Sequence, residues 1–94
     1  MESIVQKGKK CFVCETEYGL ECHHIIYGTA NRKQSEKYGL KVWLCNFHHT
    51  GSKASVHQNK ELDLHLKKLA QKKFEQVHGT RRDFMQVFGK NYLD

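Results

Sequence analysis

Residues 40–49 read LKVWLCNFHH, an apolar, strand-like run that ends in a C-x-x-H pair and one further histidine. A C-x-x-C pair, Cys11 and Cys14, precedes it by about 30 residues, close to the spacing of zinc knuckles. Residues 22–26, CHHII, lie between the two pairs. Because this is more ligands than one tetrahedral ion can use, the sequence predicts two metal sites.

The composition limits what else the chain could be. Its 94 residues include four cysteines and seven histidines. A domain this small has a small hydrophobic core, so a bound structural metal ion would add much to its stability. Residues 1–6 lack the pattern of a signal peptide, and no apolar run reaches the about 18 residues of a membrane span. We therefore expect a cytoplasmic protein without membrane association, in which reduced cysteines serve as metal ligands rather than disulfides.

Positive charge dominates the stretch from residue 32 to residue 60. The formal net charge is +6, and in this stretch six Lys and Arg residues stand against Glu36 alone. Such an excess favours a phosphate-bearing partner, although a solvated surface is the alternative. The predicted DNA contacts are Arg32, Lys33, Lys37 and Lys53.

The periodicity predicts a hairpin followed by helices. Strands are expected over 20–27 and 40–45, joined by a flexible basic loop. The pattern Ser55-x-x-Gln58 resembles a capping box and predicts a helix over 55–78, with His57 in its first turn. Thr80-x-x-Asp83 predicts a second, short helix. The fold class is thus small α+β, one domain over 1–94 with a core at about 11–78 and a C-terminal packing extension over 79–94.

The best candidates for a structural zinc site are Cys11, Cys14, Cys45 and His48. Two alternatives remain at this stage. His49 could replace His48, and Cys22 could be a ligand, although a buried small apolar residue is the favoured interpretation of Cys22. His23 and His24 are neighbours on a strand, so their side chains point to opposite faces and we expect different roles for them.

These motifs resemble the HNH endonucleases of the ββα-metal (His-Me finger) fold. The order C-x-x-C, then HHI, then LCxxHH and a helix is that of the zinc-bearing branch, and the likeness covers about residues 11–74. Within this family the chain looks like the small phage nucleases, including those that resemble the RecA-dependent recombination-enhancement nuclease. The resemblance implies a phage-encoded enzyme acting on DNA in the host cytoplasm, with a phage or host recombination or replication protein as a further partner.

The resemblance also implies roles for individual residues. His24 takes the position of the general base, and His23, His49 and His57 take those of ligands to a catalytic divalent ion, which in the family is Mg²⁺. An all-histidine set would by ligand softness prefer Mn²⁺, Ni²⁺ or Zn²⁺. Cys11, Cys14, Cys45 and His48 would hold a structural Zn²⁺. The position of the asparagine that gives the family its middle letter falls near Leu40 here, so the support that it gives to the loop of the base must come from elsewhere or be absent.

The predicted function is therefore metal-dependent hydrolysis of DNA phosphodiester bonds by an endonuclease. A different class of protein, a non-catalytic zinc-dependent DNA-binding or adaptor module, could use the same knuckle and basic residues. Four ligands and a basic face are enough for such a module, so the surplus of histidines favours the enzyme.

Overall fold

The computed structural model describes residues 2–93 as a two-stranded sheet with four helices. The elements in chain order are β1 (Leu20–His24), α1 (Thr29–Tyr38), β2 (Lys41–Cys45), α2 (Asn46–His49), α3 (Lys60–Val77) and α4 (Arg81–Phe88). The predicted small α+β class is confirmed. Over the described range, every helix is too short or too polar to cross a bilayer.

The sheet is an antiparallel pair in which Cys22 lies opposite Trp43 and His23 lies opposite Val42. Strand β1 ends at His24, three residues earlier than predicted, while β2 agrees with the expected 40–45 to within one residue. The chain continues beside β2, because the Ile25 N–H donates to the Leu40 carbonyl at 2.9 Å. Ile25, Ile26, Leu40, Val42 and Leu44 are all buried in the core.

The connection between the strands is a helix, so the predicted flexible basic loop is wrong. Helix α1 runs from Thr29 to Tyr38 and ends at Gly39, whose φ of 74° suits glycine. Only Ser35 of the helix is buried. Residues 29–38 mix good helix formers with weaker ones and carry no apolar stripe, which is why hydrophobic periodicity did not reveal the helix.

Ser35 fastens α1 to the segment that follows β1. Its hydroxyl donates to the Ile26 carbonyl at 2.6 Å and accepts from the Ile26 N–H at 3.2 Å. Its own carbonyl accepts from the Leu40 N–H at 2.8 Å. A side chain of α1 thus holds the segment just after β1 in place. No sequence pattern indicated this contact.

The N-cap of helix α3 lies four residues later than the sequence predicted. Asn59 is its N-cap, and the Asn59 side chain accepts from the N–H groups of Glu61 and Leu62 at 3.1 Å each. Ser55 is buried instead, and its hydroxyl has no hydrogen-bond partner among residues 2–93. His57 consequently lies in the turns that connect α2 to α3, not in the first turn of a helix.

Helices α3 and α4 close the core. Leu66, Ala70 and Phe74 are buried on α3, and Phe84 and Phe88 are buried on α4. The rings of Phe74 and Phe84 lie 5.4 Å apart, and those of Phe84 and Phe88 4.7 Å. The capping box predicted at Thr80 and Asp83 is present.

Candidate metal centres

The first centre joins the two knuckle pairs. Cys11 and Cys14 lie in the turn before β1, Cys45 is the last residue of β2, and His48 belongs to α2. The distances are 3.7 Å between the Cys14 and Cys45 sulfurs, 3.3 Å from Cys45 Sγ to His48 Nδ1, and 3.8 Å from Cys11 Sγ to His48 Nδ1. Zinc bonds of about 2.3 Å to sulfur and 2.0 Å to nitrogen give tetrahedral edges of about 3.8 Å and 3.5 Å. The four residues lie close enough to bind one metal ion, consistent with a structural zinc.

The protein also favours the thiolate form of one ligand. Burial raises the pKa of the Cys11 thiol, but hydrogen bonds from the backbone of Cys14, Cys45 and Val13 more than offset this and lower the pKa to about 6. The thiolate is the form that ligates metal. Cys11 is therefore prepared as a ligand by the fold around it.

The arrangement decides between the alternatives that the sequence left open. His48 lies with the three cysteines, whereas His49 belongs to a second cluster. Cys22 is exposed and lies outside both clusters, so its prediction as a buried small residue is wrong. Cys22 pairs with Trp43 in the sheet. Its side chain lies on the opposite face of β1 from the buried His23, and it is exposed there.

The second centre consists of His23, His49 and His57. These come from β1, the end of α2 and the turn before α3, and their ring centroids lie 5.0–5.3 Å apart. One ligand nitrogen from each lies within 4.8 Å of the others. His23 is 2% exposed, and its Nε2 has no hydrogen-bond partner within residues 2–93. An unsatisfied buried nitrogen is costly, and an ion shared with His49 and His57 would satisfy it.

Two histidines of this cluster, His23 and His57, have lowered pKa values. Burial lowers the pKa of His23 to about 3, and the nearby His49 and His57 contribute to the decrease. Burial is the main cause that lowers the pKa of His57, and the nearby His49 lowers it further. The Asp63 carboxylate partly opposes this decrease. Neutral imidazoles keep the lone pairs that a metal ion needs. His57 is exposed, so the centre is open to solvent on one side.

A carboxylate that the sequence analysis missed orients one of these ligands. Glu21 Oε1 lies 2.6 Å from His49 Nδ1, which leaves Nε2 of His49 for an ion. Such carboxylate–histidine pairs fix the tautomer and ring orientation of metal ligands. One signal was available, because Glu21 stands two residues before His23 and so shares its strand face.

His24 lies outside the histidine cluster. It ends β1, and its Nε2 lies 2.9 Å from Glu36 Oε1 on α1, while the other Glu36 oxygen accepts from Lys41 at 2.7 Å. The hydrogen bonds with His24 and Lys41 lower the pKa of the Glu36 carboxyl to about 2. The Nδ1 atom of His24 makes no hydrogen bond with any described residue. No sequence pattern indicated Glu36, because α1 itself was not predicted.

The predicted DNA contacts are all exposed. Arg32, Lys33 and Lys37 lie on α1, and Lys53 lies in the turns between α2 and α3. Arg32 and Lys33 precede Glu36 by four and three residues, so they share a helix face with the residue that holds His24. Their contact with DNA stays a prediction.

Comparisons with protein-family models, curated proteins and solved structures found no match. The resemblance to HNH endonucleases therefore stays an expectation from the sequence motifs alone.

Proposed function

We propose that this chain is a metal-dependent DNA endonuclease of the HNH type, with a ββα-metal core. The observation that carries the proposal is the second cluster, His23, His49 and His57, with its one exposed side and its orphaned His23 Nε2. A purely structural site closes its coordination with four protein ligands, as the cysteine centre does. Three ligands beside an open position are typical of a site that performs chemistry.

The donor set is three imidazole nitrogens, and the proposed occupant is one divalent ion. When bound, such an ion stabilises the negative charge that develops around the pentacovalent phosphorus and on the departing 3′ oxygen. By ligand softness, three imidazole donors favour Mn²⁺, Ni²⁺ or Zn²⁺, while the resemblance favours Mg²⁺. The Glu21 carboxylate, 2.6 Å from His49 Nδ1, would hold the His49 ring in the orientation that binds the ion.

His24 is proposed to act as the general base. Its Nδ1 would take a proton from the attacking water, whose oxygen forms a bond to phosphorus as the bond to the 3′ oxygen breaks. The products are a 5′-phosphate and a 3′-hydroxyl, the latter taking its proton from solvent. Glu36, 2.9 Å from His24 Nε2, would orient the ring and stabilise the imidazolium.

Charge near these residues suits a DNA substrate. Arg32 and Lys33 are exposed on the helix that carries Glu36, and the chain carries six more formal positive charges than negative ones. Lysine and arginine side chains of this kind neutralise backbone phosphates. A phage or host recombination or replication protein is proposed as the partner that directs the enzyme to its substrate.

The test is incubation of supercoiled plasmid with purified protein and Mg²⁺, Mn²⁺, Ni²⁺ or EDTA. We expect relaxed or linear plasmid with at least one of the ions and none with EDTA. His65→Ala is a matched control, because His65 is an exposed histidine of α3 outside both clusters, and it should cleave like wild type. If wild type cleaves nothing with any ion, the proposal fails and the zinc-dependent binding module replaces it.

A further inference from the structure

A groove of about 670 Å³ extends from the second metal centre along α3. The first half of α3 forms one wall, and residues 90–93 form the other. His57, a member of the histidine cluster, lines one end together with Tyr27. Whatever occupies this groove would therefore reach the proposed catalytic ion.

The groove is strongly cationic. Four lysines line it, Lys60, Lys67, Lys68 and Lys90, against one acid, Asp63. The Oδ2 atom of Asp63 is already engaged, since Lys67 lies 2.9 Å from it and the Tyr27 hydroxyl donates to it at 3.1 Å. The other three lysines are exposed and make no ion pair with any residue from 2 to 93. Their charge is available to an anionic ligand.

The second wall is fixed in place by a buried side chain. Gln71, which is 0% exposed, donates to Asn91 Oδ1 at 2.8 Å, and its Oε1 accepts from the Tyr92 N–H at 2.7 Å. Lys67 on the first wall also reaches the second, with its Nζ 5.6 Å from the centroid of the Tyr92 ring, and it lies 4.3 Å from that of Tyr27 at the end of the groove. The groove is thus formed before a ligand arrives, which reduces the entropic cost of binding.

We propose that this groove binds the sugar-phosphate backbone of the DNA strand on one side of the scissile phosphate. The inference rests on the proposed function. Lys60 and Lys68 are eight residues apart on α3 and so about 12 Å apart along it. Phosphates on one strand of a duplex advance about 3.4 Å along its axis, so this length matches three or four of them. A row of lysines that leads to a metal centre fits a polyphosphate chain.

The experiment measures DNA affinity without added divalent ions, so that cleavage plays no part. A labelled duplex oligonucleotide is titrated by fluorescence anisotropy at salt concentrations between about 50 and 200 mM. The triple variant Lys60→Gln, Lys68→Gln, Lys90→Gln is compared with the control Lys7→Gln, Lys72→Gln, Lys73→Gln, which removes equal charge outside the groove. Zinc content and melting temperature should match wild type in both.

We expect the groove variant to lower the log–log salt slope by about 2 to 3, at about 0.9 per neutralised phosphate, and the control to lower it by less than about 1. Equal slopes for the two variants, or no binding by wild type, would overturn the inference. So would displacement of the oligonucleotide by polyglutamate as effectively as by DNA of equal charge.

The two proposals fail separately. If wild type nicks plasmid but the groove variant keeps the wild-type salt slope, the proposed DNA-binding role of the groove is disproved and the nuclease proposal is not affected. If the groove variant has a reduced slope but wild type nicks nothing, the DNA-binding role is supported and the nuclease proposal is disproved.

Discussion

The two clusters share a backbone segment but differ in closure. The cysteine centre has four candidate ligands, of which Cys11 and Cys45 are buried. The histidine centre has three candidate ligands, of which His57 is exposed. Adjacent residues of α2 supply both, because His48 lies with the cysteines and His49 with the histidines. An ion bound in the cysteine centre would fix α2 and would therefore also position His49 in the histidine centre.

This comparison separates stability from chemistry. A structural zinc contributes folding free energy on the order of 10 kcal/mol, so the closed centre should control whether the chain folds. An open centre with a solvent-facing ligand should control activity instead. The predictions that follow are ordered from the largest expected effect to the smallest.

Removal of a closed-centre ligand should abolish folding. Cys11→Ser or Cys45→Ser leaves zinc with three ligands, and the small core cannot replace the missing coordination energy. Circular dichroism and zinc analysis of the purified proteins would measure this, with about one tightly bound zinc expected in wild type. Cys22→Ser is the matched control, since Cys22 is exposed and outside both clusters. A chelated, zinc-free protein that still melts cooperatively would contradict the assignment.

Loss of an open-centre ligand should spare the zinc and remove the second ion. His23→Ala or His49→Ala should lose divalent-ion affinity and plasmid nicking together, because two imidazoles are left to hold the ion. Calorimetric titration with Mn²⁺ measures the affinity, and excess Mn²⁺ should partly restore nicking. His65→Ala should behave like wild type. Unchanged Mn²⁺ affinity in both ligand variants would place the ion elsewhere.

Weakening the support of one ligand should have an intermediate effect. Glu21→Gln replaces the carboxylate 2.6 Å from His49 Nδ1 by a neutral amide, and loss of such a partner typically costs about 10–100-fold in metal affinity. The same Mn²⁺ titration measures it. Glu17→Gln, at an exposed position outside both clusters, is the control and should change nothing. Equal affinities for the two variants would show that Glu21 does not orient His49.

The smallest effect is expected from the basic face of α1. Arg32→Ala with Lys33→Ala should lower the log–log salt slope of DNA binding by about 0.9 for each phosphate that the variant no longer neutralises. Folding and ion affinity should remain unchanged, since both side chains are exposed. The paired variant Lys72→Ala with Lys73→Ala removes equal charge from α3 and serves as control. An unchanged slope would mean that this face of α1 does not contact DNA.

The knuckle spacing predicted the members of the cysteine cluster and the family resemblance implied those of the histidine cluster, but neither indicated what supports them. The ligand pairs are close in sequence, and alternation along β1 separates His23 from His24 whatever the rest of the fold does. Glu36 reaches His24 only because residues 29–38 form a helix, and that helix has no apolar stripe to reveal it.

Competition between nearby caps explains the misplaced start of α3. Ser55 and Asn59 both precede an apolar stripe, and Asn is at least as good an N-cap as Ser. Tertiary structure decides between them, because the Val56 N–H donates to the His48 carbonyl at 2.7 Å and this holds residues 55–57 beside α2. Sequence periodicity carries no information about that contact.

The most direct test of the central claim is the rate of plasmid nicking by His24→Ala at saturating Mn²⁺ and matched zinc content. A general base is typically worth about 10²–10⁴-fold in rate, and His24 lies outside both clusters. We predict that nicking falls by that factor while zinc content, melting temperature, Mn²⁺ affinity and DNA affinity stay at wild-type values, with His65→Ala fully active. Nicking by His24→Ala at the wild-type rate would contradict the account.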